Sequence, residues 1–164
     1  MGASGQPIAL SPDGSMIAYA SRRVGETQQL YLRAIGSPEA KAVAGSDGAF
    51  NPFFSPDGKS VGFFSQAKLE KDRLAGGAVE TLCDSGSGVG GSWAEDGMIY
   101  FSPASRSGLW KVSENGGTPQ EFTTLNLDKG EVSHRWPQVL PGGKAVLFTV
   151  WTGPAWDEAQ LQLL

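Results

Sequence analysis

The sequence contains one cysteine and one histidine in 164 residues. Cys83 therefore closes no disulfide within the chain, and its place at the end of an apolar stretch suits a small core or edge filler better than a nucleophile. Charge is sparse as well: Asp, Glu, Lys and Arg make up 18% of the residues, too little for a long solvated helix or coiled coil. What excess there is is acidic, a formal net charge of −4. No run of Lys and Arg alternates with aromatics, so phosphate backbones find no basic field and nucleic acid is not an expected partner. No apolar run approaches membrane-spanning length, and Met1-Gly2-Ala3-Ser4-Gly5-Gln6 has neither the basic nor the apolar part of a secretion signal. The chain is expected in the cytoplasm, with no membrane partner. Familiar catalytic signatures are missing too. The nearest approach to a Gly-x-Ser-x-Gly elbow is Gly90-Gly91-Ser92-Trp93-Ala94, and there is no His-Glu-x-x-His.

Turn residues, in contrast, are plentiful, with 23 glycines and 10 prolines. Ser11-Pro12-Asp13-Gly14 returns as Ser55-Pro56-Asp57-Gly58, then more loosely as Ala94-Glu95-Asp96-Gly97 and Leu140-Pro141-Gly142-Gly143. The closing glycines 14, 58, 97 and 143 are 44, 39 and 46 residues apart. Each copy is built to close a hairpin: Pro fixes φ at the first turn position, Asp bonds back to the backbone and Gly takes φ > 0. Asp13, Asp57 and Asp96 are accordingly turn residues with no chemistry assigned. A β-rich segment follows each turn, and Gly76-Gly77 and Gly116-Gly117 add a second pair of turns 40 residues apart.

A period of 40 to 45 residues made of short strands is the mark of a β-propeller blade. The fold class read from the sequence is all-β, a β-propeller fragment of about four four-stranded blades in one partial domain. The blades are approximately 7–45, 50–83, 89–124 and 135–164, and the last lacks its outermost strand. The charged stretch Lys68 to Arg73 is expected as a solvated strand. The apolar end Leu161-Gln162-Leu163-Leu164 calls for cover, and a homodimer is the expected partner arrangement. In it, two chains close a ring of about eight blades around a two-fold axis.

The Ser-Pro-Asp-Gly blades, the Gly-Gly turns and Ser133-His134-Arg135-Trp136-Pro137 resemble TolB-like propellers over nearly the whole chain. The likeness is greatest to the propeller regions attached to bacterial serine/threonine protein kinases. This resemblance implies a sensor or scaffold that binds a protein or peptide through its rim or channel. No phosphate loop or His-Arg-Asp loop accompanies it, so kinase activity is not implied.

Chemistry is expected on the rim opposite the Pro-Asp-Gly turns. Glu131 and His134 are the catalytic candidates. The same pair with Asp47 and Asp84 are candidate ligands for a divalent metal ion, because imidazole and carboxylate together serve such ions and can activate water. Trp156, Asp157 and Asn51 are candidate binding residues. A non-enzymatic binding module is the first reading. The alternatives are a metal-dependent hydrolase acting on an ester, lactone or phosphoester, and a structural fragment of a larger sensor protein.

Overall fold

The computed structural model describes residues 8–22, 24–153 and 159–164. Apart from one 3-10 turn at Leu127–Lys129, its regular elements are strands. The first sheet holds β1 (Ile8–Leu10), β2 (Met16–Ser21), β3 (Gln29–Ala34) and β4 (Ala40–Ala42). The second holds β5 (Phe50–Phe54), β6 (Ser60–Ser65), β7 (Lys68–Arg73) and β8 (Glu80–Asp84). The third holds β9 (Gly91–Trp93), β10 (Met98–Phe101), β11 (Trp110–Ser113) and β12 (Gln120–Glu121), and the last β13 (Ser133–Val139), β14 (Val146–Trp151) and β15 (Gln160–Leu163). Every sheet is an antiparallel meander in chain order, three of them four-stranded and the last three-stranded.

The repeated turns act as their residues dictate. Ser11 Oγ donates to Asp13 Oδ1 at 2.6 Å, the Ser15 N–H donates to the same oxygen at 3.0 Å, and the Gly14 N–H closes onto the Ser11 carbonyl at 2.9 Å. The second copy repeats this with Ser55, Asp57, Lys59 and Gly58 at 2.7, 3.0 and 2.9 Å. Asp96 caps the third turn through the Met98 N–H at 3.0 Å. Hydrogen bonds to Ser11 Oγ first, then to the Ser15 backbone and hydroxyl, hold the Asp13 carboxyl down at about 2.

Core formation follows from the two-residue pleat, which sends neighbouring side chains to opposite faces of a blade. Phe63 and Phe54 face the first blade, packing with Ala18, Leu30 and Val61. Phe64 and Phe53, one position away, face the third blade and meet Trp93, Ile99 and Phe101. Leu109, Val146, Phe148 and Val150 fill the seam between the third and fourth blades. Phe53 fits because glycine stands on both sides of it: a Cβ on Gly62 or Gly91 would lie 2.5 or 2.6 Å from its ring. Cys83 is in this middle cluster, its thiol pushed up to about 11 by burial and, secondarily, by Asp84.

Two expectations need correction. Lys68–Arg73 is a strand, but not a solvated one: Lys71 is 5% exposed, and its Nζ donates to the Glu114 carbonyl at 2.7 Å and stands 3.3 Å from Glu80 Oε2. The Lys stem spans the seam to the next blade while its head is paired. The third blade, expected as four strands over 89–124, has an outer strand of only two residues, Gln120–Glu121: the in-register Phe122 N–H still reaches the Leu109 carbonyl at 2.8 Å, but the Thr123 N–H turns onto the same oxygen at 3.0 Å and ends the ladder.

The inner strands β1, β5, β9 and β13 pack side by side in that order, but among the described residues β1 and β13 do not meet in the same way. The blades thus form an open arc. No helix among the described residues is long and apolar enough to cross a membrane.

Candidate functional site: the channel and the buried histidine

The inner strands turn their free edges to the channel, and a backbone irregularity recurs along them. Asn51, Gly90 and Trp136 all have left-handed backbone, with φ of 49°, 98° and 49°. They are 39 and 46 residues apart, the spacing of the later closing glycines. Pairing with the second strand slips at the same places, between Phe50 and Phe53 and between Arg135 and Gln138. Left-handed backbone costs a non-glycine residue about 1–3 kcal/mol and persists only where neighbours hold it. Here the Asn51 amide donates to the Gly88 carbonyl at 3.1 Å, and the Trp136 N–H donates to the Val89 carbonyl at 3.3 Å. Gly90 is packed so close to Trp136 that a Cβ on it would stand 3.0 Å from the indole. Sequence reasoning missed these bulges. A residue before proline is ordinarily extended, so Asn51-Pro52 and Trp136-Pro137 argue against them; only the shared spacing gives them away.

At the Pro-Asp-Gly end of the channel the inner strands border an open cavity of about 630 Å³. Its walls include Pro12, Phe53, Pro56, Trp93, Glu95 and Gln138. A neighbouring groove of about 810 Å³ between the second and third blades shares Trp93, whose Nε1–H donates to Glu114 Oε2 at 3.0 Å. The lining mixes prolines and aromatics with polar groups, Ser92, Gln138 and the single carboxylate of Glu95, which suits a segment that offers both apolar contact and a donor.

At the opposite rim the structure joins Glu131 and His134. His134 Nε2 is 3.0 Å from Glu131 Oε2, and Nδ1 is 2.7 Å from Thr123 Oγ1. Thr123 Oγ1 already accepts the Leu109 N–H at 2.7 Å. The Glu131 carboxylate can only accept, so Nε2 carries the hydrogen donated to it, and Nδ1 of the neutral ring accepts the Thr123 hydroxyl hydrogen. Burial pushes the Glu131 carboxyl up, but the hydrogen bonds it accepts from the Asn126 N–H and from His134 outweigh it and hold the group below the ordinary range. All three residues are buried, with His134 only 3% exposed and its ring 5.0 Å from that of Phe148. The network ties the outer edge of the third blade to the inner strand of the fourth.

Asp47 and Asp84 do not join this pair. Asp47 accepts from Gln29 Nε2 at 3.0 Å, and Asp84 ends β8 opposite Lys68. Among the described residues no group of three or more His, Cys, Asp or Glu side chains could hold a metal ion. Both ring nitrogens of His134 are committed, so the four candidate ligands do not fit a metal centre as they stand. Asn51 is buried with its amide engaged, and Trp156 and Asp157 lie outside the described residues.

Comparison with solved structures bears on this geometry. TolB from Agrobacterium tumefaciens superposes with a TM-score of 0.80 at 20% identity, over 96% of this chain and 60% of that one. The fold is that of a TolB-like propeller arc. TolB from Acinetobacter baumannii gives 0.72 at 20% identity, over 99% of this chain and 41% of that one. A chain of the nidogen/laminin complex gives 0.64 at 13% identity, over 88% and 54%. No protein-family profile matches the sequence. Among curated proteins, the uncharacterized peptidase YuxL of Bacillus subtilis strain 168 is 29% identical over 143 residues. That match takes in 85% of this chain but only 20% of YuxL, so the chain spans a fifth of its curated relative.

Proposed function

We propose that the chain is a non-enzymatic binding module that takes up a short protein or peptide segment in the channel cavity at the Pro-Asp-Gly end. The observation that carries this reading is the cavity itself, about 630 Å³ walled by prolines and aromatics on the inner strands. Pro52 and Pro137 lie in those strands and remove N–H donors from their edges, which disfavours strand addition. Recognition then falls to side chains: a ligand aromatic or proline against Leu10, Pro12 and Pro56, and a donor to Glu95. The TolB-like propeller fold supports a sensor or scaffold role. Selecting peptides from a displayed library against the whole chain tests the reading. Enriched peptides should bind the wild type and lose affinity on Gln138→Trp, which fills the cavity from an exposed position. No enrichment, or binding indifferent to that change, contradicts it.

A second reading has one observation in its favour, the peptidase name of the Bacillus relative. In it the arc holds substrate for a hydrolase whose chemistry lies in other parts of the protein. A hydrolytic site built on Glu131 and His134 would need both to leave their hydrogen bonds. Ester or phosphoester turnover by this chain, abolished by His134→Ala in a variant shown to remain folded, would support that site over the binding reading.

A further inference from the structure

The groove between the second and third blades opens beside the channel cavity, and Pro56, Trp93, Ala94 and Glu95 border both. The two blades that wall it lie wholly within the described residues. Strand order decides what a chain leaving the channel passes. Nearest the channel are the turns that join the first and second strands of each blade. They bring Glu95 and Asp96 from the third blade, and from the second Asp57 with Lys59, whose charges offset each other at 3.6 Å. Farther out, β7 brings Lys71 and Arg73. Lys71 is engaged by the Glu114 carbonyl and Glu80, and Glu114 Oε2 by the Trp93 indole. The charges that remain are opposite in sign. Glu95 and Asp96 form no ion pair with a described residue, and Asp96 uses only Oδ1 on the Met98 N–H. Arg73 Nη2 stands 3.4 Å from Glu80 Oε1, with the side chain 62% exposed. A groove of about 810 Å³ keeps these charges apart. A ligand of one sign is drawn to one of them and repelled by the other, whereas a ligand with both signs in the right order meets both.

We infer that the segment taken up in the channel cavity continues into this groove and carries a fixed order of charge. Outward from its apolar residues come first a Lys or Arg, held by Glu95 and Asp96, and then an Asp or Glu, held by Arg73. The guanidinium of Arg73 suits a carboxylate, which it can grip through two N–H groups at once. Either chain direction satisfies the order. This inference rests on the binding reading above and adds to it the chemistry of the partner: a bipolar peptide segment rather than an apolar one.

Peptides enriched on the whole chain supply the probe. The tightest is compared by fluorescence anisotropy with a version in which its basic and acidic residues are exchanged. Both are measured on the wild type and on Glu95→Lys/Arg73→Glu, two exposed positions, with circular dichroism checking that the variant folds. Exchange turns two exposed attractions into repulsions and should weaken binding to the wild type about tenfold. The variant should prefer the exchanged peptide by a similar factor. An enriched set without the cation-then-anion order, equal affinity for the two peptides, or a preference that the variant does not reverse overturns the inference. If the peptides in those cases still lose affinity on Gln138→Trp, the cavity reading stands without it. No enrichment, or indifference to Gln138→Trp, overturns both.

Discussion

Replacing His134 with alanine tests the view that this residue is a tie between blades. Three losses add up. Its ring, 3% exposed and packed at 5.0 Å on Phe148, leaves a cavity, and large-to-small changes of this kind cost about 2–4 kcal/mol. The Thr123 hydroxyl loses its acceptor and the buried Glu131 carboxylate loses a donor, at about 1–3 kcal/mol for a buried polar group left short. With partial relaxation the total is about 4 kcal/mol, and at an m-value near 2 kcal/mol/M the urea midpoint falls by about 2 M. Glu131→Gln in the wild type and in the His134→Ala background completes a double-mutant cycle, with a coupling of about 1–2 kcal/mol expected for direct contact. A His134→Ala protein within about 0.5 kcal/mol of wild type, the usual range for surface changes, would refute the reasoning, and so would a coupling near zero.

Two further outcomes follow from the same packing and electrostatics. Gly62→Ala sets a Cβ 2.5 Å from the Phe53 ring and should cost about 1–3 kcal/mol in denaturant unfolding. Phe53→Leu in the same protein should recover part of that loss, and independent, additive effects would contradict the close approach. Because the folded Glu131 carboxyl titrates below its ordinary value, its contribution is complete above the unfolded pKa and disappears as pH falls through the folded one. Unfolding midpoints measured on the acid side should therefore drop more steeply for wild type than for Glu131→Gln, and parallel profiles would rule this out.

Much of the architecture is legible in the sequence because one turn chemistry recurs at blade spacing, and Pro, Asp and Gly each have a fixed task in it. Strand order, the three-stranded last sheet and the turn role of Asp13, Asp57 and Asp96 all follow from that. What escapes is set by neighbours distant in sequence. Lys71 reads as a solvated charge because nothing local announces that the Glu114 carbonyl, 43 residues on, will receive its ammonium. The Thr123 hydroxyl that meets His134 Nδ1 belongs to an ordinary-looking strand end. The left-handed Asn51 and Trp136 run against the rule for residues before proline, and they are held by carbonyls of the adjoining blade or its entry loop. Of the candidate site, the Glu131–His134 pairing at a spacing of three is legible; its burial and, among the described residues, its lack of further ligands are not.

The most direct test of the binding role is amide hydrogen exchange on the chain with a selected peptide bound. Protection is predicted at the cavity walls, over 91–95 and 138–143, with the loops of the far rim, 43–49 and 125–133, unchanged. Protection confined to that far rim would contradict the account and return attention to the neighbourhood of His134.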